Sequence, residues 1–242
     1  MTLQSLSDAE LREALLLKER LELLKKQETC QEGFMDFIEH IWPEFICGRH
    51  HKIFAQKLED IATGKINRLI VNMPPRHTKS EFASTYFPAW VMGKYPTKKI
   101  MQTTHTGELA VRFGRKVRNI MDTQEYSAVF PEVSLSADSK SAGRWETNKG
   151  GEYFAAGVGG AITGRGADLL IIDDPHSEQD ALSMTAMEGA WEWYTSGPRQ
   201  RLQPKGAIVL VMTRWSQIDL TQRLLDAQKE PLADQWEVIE FP

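Results

Sequence analysis

Apolar residues recur along the first part of this chain at the period of a helix. Leu11, Ala14, Leu17, Leu21 and Leu24 fall at that spacing among Lys, Arg and Glu, and Ser7 with Glu10 supplies a capping-box start. Residues 7–28 therefore read as a helix, either a detached arm or an element packed on the body of the protein. Further helices are expected over 32–41 and over 51–62, the latter stopped by Gly64. From Lys65 the pattern changes. Short apolar runs at 68–73, 99–104, 152–156, 169–173, 208–213 and 237–241 read as strands, and helical stretches at 79–92 and 107–121 lie between the early ones. Strands alternating with helices predict a mainly parallel sheet covered by helices on both faces. Residues 134–151 are polar and irregular and read as a loop or hairpin. The organisation expected is an N-terminal helical arm, 1–30, followed by one α/β domain, 31–242.

Composition narrows the possibilities. Of 242 residues 26% are charged and 41% hydrophobic, the profile of a globular chain rather than a disordered one. No apolar run approaches the ~20 residues that a bilayer span needs, and the amino terminus lacks the apolar core of a signal peptide, so a cytoplasmic protein without membrane contact is expected. Cys30 and Cys47 are too few for a disulfide framework or a metal cluster. With 29 basic and 33 acidic residues the net charge is −4, which excludes an overall polycationic nucleic-acid binder but not a local basic groove.

The chemistry is written at three strand ends. Met73-Pro74-Pro75-Arg76-His77-Thr78-Lys79-Ser80 follows an apolar strand and precedes an apolar helix, the setting of a phosphate-binding loop. In such a loop Lys79 would reach the β- and γ-phosphates of a nucleotide and the Ser80 hydroxyl would ligate Mg²⁺. Glycines expected by the motif are replaced by Met73 and Thr78, and a β-branched Thr78 would be costly at positive φ. Leu169-Leu170-Ile171-Ile172-Asp173-Asp174-Pro175 is an apolar strand ending in two carboxylates, where Asp173 would hold the metal shell and Asp174 would polarise an attacking water. Val209-Leu210-Val211-Met212-Thr213 ends in a hydroxyl suited to sensing the γ-phosphate. Each has an ordinary alternative, a helix start, an Asp-rich turn and a strand end; their combination in this order favours function.

These residues, Pro74 to Ser80, Leu170 to Pro175 and Met212-Thr213-Arg214-Trp215, resemble the large terminase subunit of tailed bacteriophages over about residues 35–242. The resemblance implies a P-loop NTPase fold of the RecA-like (ASCE) type, ATP and Mg²⁺ as cofactors, and a motor that drives double-stranded DNA into a procapsid. It implies the portal protein, the small terminase subunit and further copies of the chain in a ring as partners, with the infected host's cytoplasm as location. It places Pro75, Arg76, His77, Thr78, Lys79 and Ser80 around the phosphates, Ser80 and Asp173 on the metal, and Arg76 on the transferring phosphoryl group in cis. Arg165, in the glycine-flanked Thr163-Gly164-Arg165-Gly166, is the expected finger for a neighbour's site. His51 or Gln56 would read the adenine. Family members often have Gly at the Thr78 position and Glu at the Asp174 position; the shorter Asp174 needs a backbone shift or a bridging water to reach. The family's nuclease domain would follow Pro242, so no DNA cleavage is expected from this chain. Two rival readings share the motifs: a helicase-like, nucleic-acid-stimulated ATPase, and a non-catalytic docking module for portal or small-terminase partners.

Overall fold

The structure, a computed structural model, describes residues 7–138, 141–162 and 164–242. Seven strands form one sheet: β1 (Arg68–Asn72), β2 (Lys99–Thr104), β3 (Arg144–Glu146), β4 (Glu152–Gly157), β5 (Ala167–Asp173), β6 (Leu202–Met212) and β7 (Glu237–Glu240), in the spatial order β3-β4-β2-β5-β6-β1-β7. Every neighbouring pair is parallel except β3 with β4.

The apolar runs are continuous because both sheet faces are covered. Leu69, Val71, Leu169, Ile171, Val209 and Val211 point to one face. There they join residues of the helices α2 (Phe34–Ile41), α3 (Arg49–Ala62), α5 (Phe87–Lys94), α6 (Gly107–Met121) and α7 (Gln124–Val129) in one core. Ile70, Leu170, Ile172, Ile208 and Leu210 point to the other, where Trp193 and Tyr194 of α8 (Met184–Ser196) and Leu220 and Leu224 of α9 (Leu220–Ala227) close a second core. The strand period of two puts Asp173 on the same side as Leu169 and Ile171, toward α4 (Lys79–Glu81), the helix that starts at Lys79.

Several elements differ from the sequence expectation. The first helix, α1 (Asp8–Glu32), runs past residue 28. Its carboxyl end is packed, with Cys30 buried and the Gln27 and Gln31 amides donating to the Val129 carbonyl. Leu11, Leu15, Leu16, Leu17, Leu21, Leu23 and Leu24 remain exposed, so the helix is an arm along most of its length and an integral element at its base. The single helix expected over 79–92 is broken: α4 passes into a π-helical turn, Phe82–Tyr86, before α5 resumes. Pro88 has no N–H to give the Ser84 carbonyl, and the wider turn accommodates that loss, with the Phe87 N–H bonding five residues back to Phe82. The 134–151 segment contains β3, so the hairpin alternative holds there. Strand β6 starts at Leu202, six residues before its apolar run; residues 203–205 are exposed and carry no apolar signature that would mark this extension.

Candidate nucleotide site at the strand ends

Strand order explains why three distant segments meet. β6 lies between β1 and β5, so the residue after β6 sits between the loop after β1 and the carboxylates after β5. The carboxyl ends of parallel strands are where open sheets bind ligands. The Thr213 hydroxyl accepts from Lys79 Nζ at 3.2 Å, and its backbone N–H donates to Asp174 Oδ1 at 2.8 Å. Lys79 Nζ also lies 2.9 Å from Asp174 Oδ2. Main-chain bonds lock the same junction: Met73 N–H donates to the Met212 carbonyl, and Asp174 N–H to that of Val211.

Asp173 is buried and held from the helix side. Ser80 Oγ donates to its Oδ1 at 3.0 Å and Ser84 Oγ to its Oδ2 at 2.6 Å, while Gln102 Nε2 donates to Ser84 Oγ at 3.0 Å. Burial first, and then the neighbouring Asp174 charge, push the Asp173 carboxyl up to about 7, against the opposing effect of Ser84, Lys79 and Ser80. A cation beside it would reverse that balance. A hydroxyl and a carboxylate oxygen side by side are the hard oxygen donors that Mg²⁺ takes when it keeps several of its own waters. Ser80 and Asp173 fit that group.

The loop itself is strained. Arg76 (φ 66°), Thr78 (φ 65°) and Asp174 (φ 41°) are three of the four non-glycine residues with positive φ among the described residues. Left-handed backbone at such residues costs energy and clusters where function requires it. Thr78 thus occupies the glycine-type conformation that its β-branch disfavours. Asp174 likewise takes a left-handed backbone, directly after β5. Pro75, Arg76 and His77 are exposed; His77 Nδ1 lies 2.9 Å from the Pro75 carbonyl, and Arg76 has no polar partner among the described residues.

No protein-family model matches the chain, and no curated protein matches it in sequence. Its fold does match solved structures. The large terminase of bacteriophage HK97 superposes with a TM-score of 0.53 at 15% identity, over 82% of this chain and 41% of that one. The fold is shared with that part of a phage large terminase. The large terminase of a thermophilic bacteriophage, solved in complex with ADP, is matched with a TM-score of 0.46 at 11% identity, over 77% of this chain and 44% of that one. The chain therefore spans less than half the length of either terminase.

On this terminase-type fold the residues anticipated from sequence separate into two groups. Lys79, Asp174 and Thr213 bond to one another, Ser80 bonds to Asp173, and His51 contacts Thr78, three sets that the chain joins at 78–80 and 173–174 into one region. Gln56 and Arg165 lie outside it. Gln56 is exposed on α3. Arg165 precedes β5 at the strand end opposite Asp173, and its guanidinium stacks 4.3 Å over the Phe154 ring. Thr163 of the same segment lies outside the described residues. His51 does not stand open to a base: Nδ1 accepts from the Gly48 N–H at 2.9 Å and Nε2 lies 2.7 Å from Thr78 Oγ1. Both ring nitrogens are thus engaged, and a base contact by His51 would require one of them to be released.

Three participants escaped sequence reasoning. Ser84 follows Ser80 by one helical step, a signal available only once a helix spans both. Gln102 is a long polar side chain in the middle of β2, fully buried after the apolar pair Ile100-Met101, and could have been singled out on that ground. His105 donates its backbone N–H to the Asp174 carbonyl at 3.3 Å, and its ring Nδ1 lies 3.2 Å from the same oxygen.

Proposed function

We propose that this chain is the ATP-hydrolysing motor domain of a viral DNA-packaging terminase, coupling hydrolysis to movement of duplex DNA into a procapsid. The observation that carries the reading is the meeting of Lys79, Asp174 and Thr213 beside the Ser80–Asp173 pair, at the carboxyl ends of three adjacent parallel strands.

The reaction is in-line attack of water on the γ-phosphorus of ATP, with the bond to the bridging β–γ oxygen breaking to leave ADP and phosphate. Catalysis of this kind is positioning plus electrostatics. Lys79 would transfer its ammonium from Asp174 to the phosphate oxygens, and the loop N–H groups and Arg76 would spread the remaining charge. Asp174, released from the lysine, would accept a hydrogen bond from the attacking water and aim it. Bound Mg²⁺, held by Ser80 and through water by Asp173, would neutralise charge between the β- and γ-phosphates. Thr213, which touches both Lys79 and Asp174, would register loss of the γ-phosphate and pass it to the segment after β6. Arg165 faces away from its own site and would serve as the finger for a neighbouring copy in a ring, leaving Phe154 as it does so. Duplex DNA, the portal protein and the small terminase subunit are the partners this reading carries, in the cytoplasm of the infected host.

The test is ATP hydrolysis by the chain and its Lys79→Ala variant, with and without duplex DNA and procapsids. Slow hydrolysis lost in the variant, together with ATP-dependent DNA uptake by procapsids when the other packaging components are present, is expected. Strand displacement without uptake would favour the helicase-like reading. Partner binding with no hydrolysis in either protein would favour the docking module.

A further inference from the structure

His51 is fixed from both sides. It is the third residue of α3, and its Nδ1 accepts the N–H of the cap residue Gly48 at 2.9 Å. Its ring stacks on Phe82 (centroids 5.1 Å apart, planes at 22°) and meets Phe45 edge-on at 4.8 Å. A neutral imidazole that accepts at Nδ1 carries its proton on Nε2. That N–H therefore donates to Thr78 Oγ1 at 2.7 Å, and the threonine hydroxyl donates onward to the His77 carbonyl at 2.5 Å. The chain of donors ends on the one residue, Thr78, that stands at φ 65° directly before Lys79.

We propose that His51 is a positioning residue that holds Thr78 in its left-handed conformation, so that a threonine can stand where the phosphate loop needs a glycine-like backbone. The proposal rests on the reading of this loop as a nucleotide site and gives His51 a role other than contact with the base. A glycine populates this conformation unaided. Dependence on His51 should therefore exist only while residue 78 carries a side chain.

A double-mutant cycle tests this in the full chain, with His51→Asn, Thr78→Gly and the two combined. Asparagine keeps an acceptor near the Nδ1 position for the Gly48 N–H but is too short to reach Thr78. The readouts are the affinities for fluorescently labelled ADP and GDP in Mg²⁺, and the urea midpoint. His51→Asn is expected to weaken labelled ADP about tenfold in the Thr78 background, the loss of one partly buried hydrogen bond. It should do so by less than about twofold in the Thr78→Gly background, the margin within which independent sites add. The ADP-to-GDP ratio should stay constant throughout. An equal loss in both backgrounds, no loss in either, or a changed ADP-to-GDP ratio would overturn the proposal. If the unsubstituted chain binds neither nucleotide, the site reading itself fails. The urea midpoints then decide the inference alone: non-additive shifts of the two substitutions support the prop, and additive shifts overturn it.

Discussion

Lys79 Nζ and Asp174 Oδ2 lie 2.9 Å apart, the ammonium nearly buried and the carboxylate about a quarter exposed. The two groups have opposite tasks in the proposed reaction, one on the phosphates and the other on the water. Their contact holds both in place and gives each a partner until phosphate oxygens compete for the lysine. Replacing Asp174 with Asn keeps the volume but removes the acceptor charge. Asp174→Asn is expected to retain nucleotide binding and lose about 10²–10⁴ in turnover, the range of general-base assistance. Lys79→Ala should lose binding and turnover together. Steady-state hydrolysis alongside equilibrium nucleotide binding separates the two, and unchanged turnover in Asp174→Asn would refute the role given to this carboxylate.

Ser84 bridges Asp173 and Gln102, and all three side chains are essentially inaccessible to solvent. Ser84→Ala leaves a buried carboxylate oxygen and a buried amide N–H without that partner. A loss of about 1–3 kcal/mol in unfolding free energy is expected from urea titration, the cost of stranding buried polar groups. A variant as stable as the parent would mean that other donors replace the serine.

His51 carries a pH signature. Burial, followed by the nearby His50 and His77, lowers its pKa to about 4 in the folded chain. Between pH ~6.5 and ~4 the unfolded chain takes up a proton that the folded chain refuses. The associated stability is present in full above pH ~6.5 and is lost as pH falls through that window. Going from pH 7.5 to 5.5, the parent should lose about 1 kcal/mol more than His51→Gln, whose side chain does not titrate. Equal losses in chemical denaturation at the two pH values would contradict this.

Gly157 ends β4 where α6 begins. A Cβ there would lie 2.4 Å from the Gly107 nitrogen and 2.9 Å from the Thr106 carbonyl carbon, both backbone atoms that cannot swing aside. Gly157→Ala should destabilise the fold by about 1–3 kcal/mol, as overpacking does. Thermal unfolding measures it, and an unshifted midpoint would show that the junction has room.

The sheet was legible because its strands are buried on both faces, so that 169–173 and 208–213 read as apolar blocks with polar ends. Helices α8 and α9 were not assigned, and the exposed residues opening β6 carried no pattern. Thr78 and Asp174 were visible as departures from a motif, and both stand at positive φ. What the sequence could not convey depends on side-chain direction. Nothing in the adjacent His50-His51 pair indicates which ring turns inward or which nitrogen is protonated. The Ser80–Ser84 pairing requires a helix that survives its π-helical turn. Arg165 is conspicuous between glycines, yet only strand direction shows that it lies at the far end of β5 from Asp173.

The central claim is that a nucleoside triphosphate and its metal bind where these strand ends meet. The most direct measurement is a crystal structure with a non-hydrolysable ATP analogue and Mg²⁺. The account predicts β- and γ-phosphate oxygens about 3 Å from Lys79 Nζ, the metal on the Ser80 hydroxyl, and Asp174 parted from the lysine. Phosphates bound elsewhere, with the Lys79–Asp174 pair intact, would contradict it.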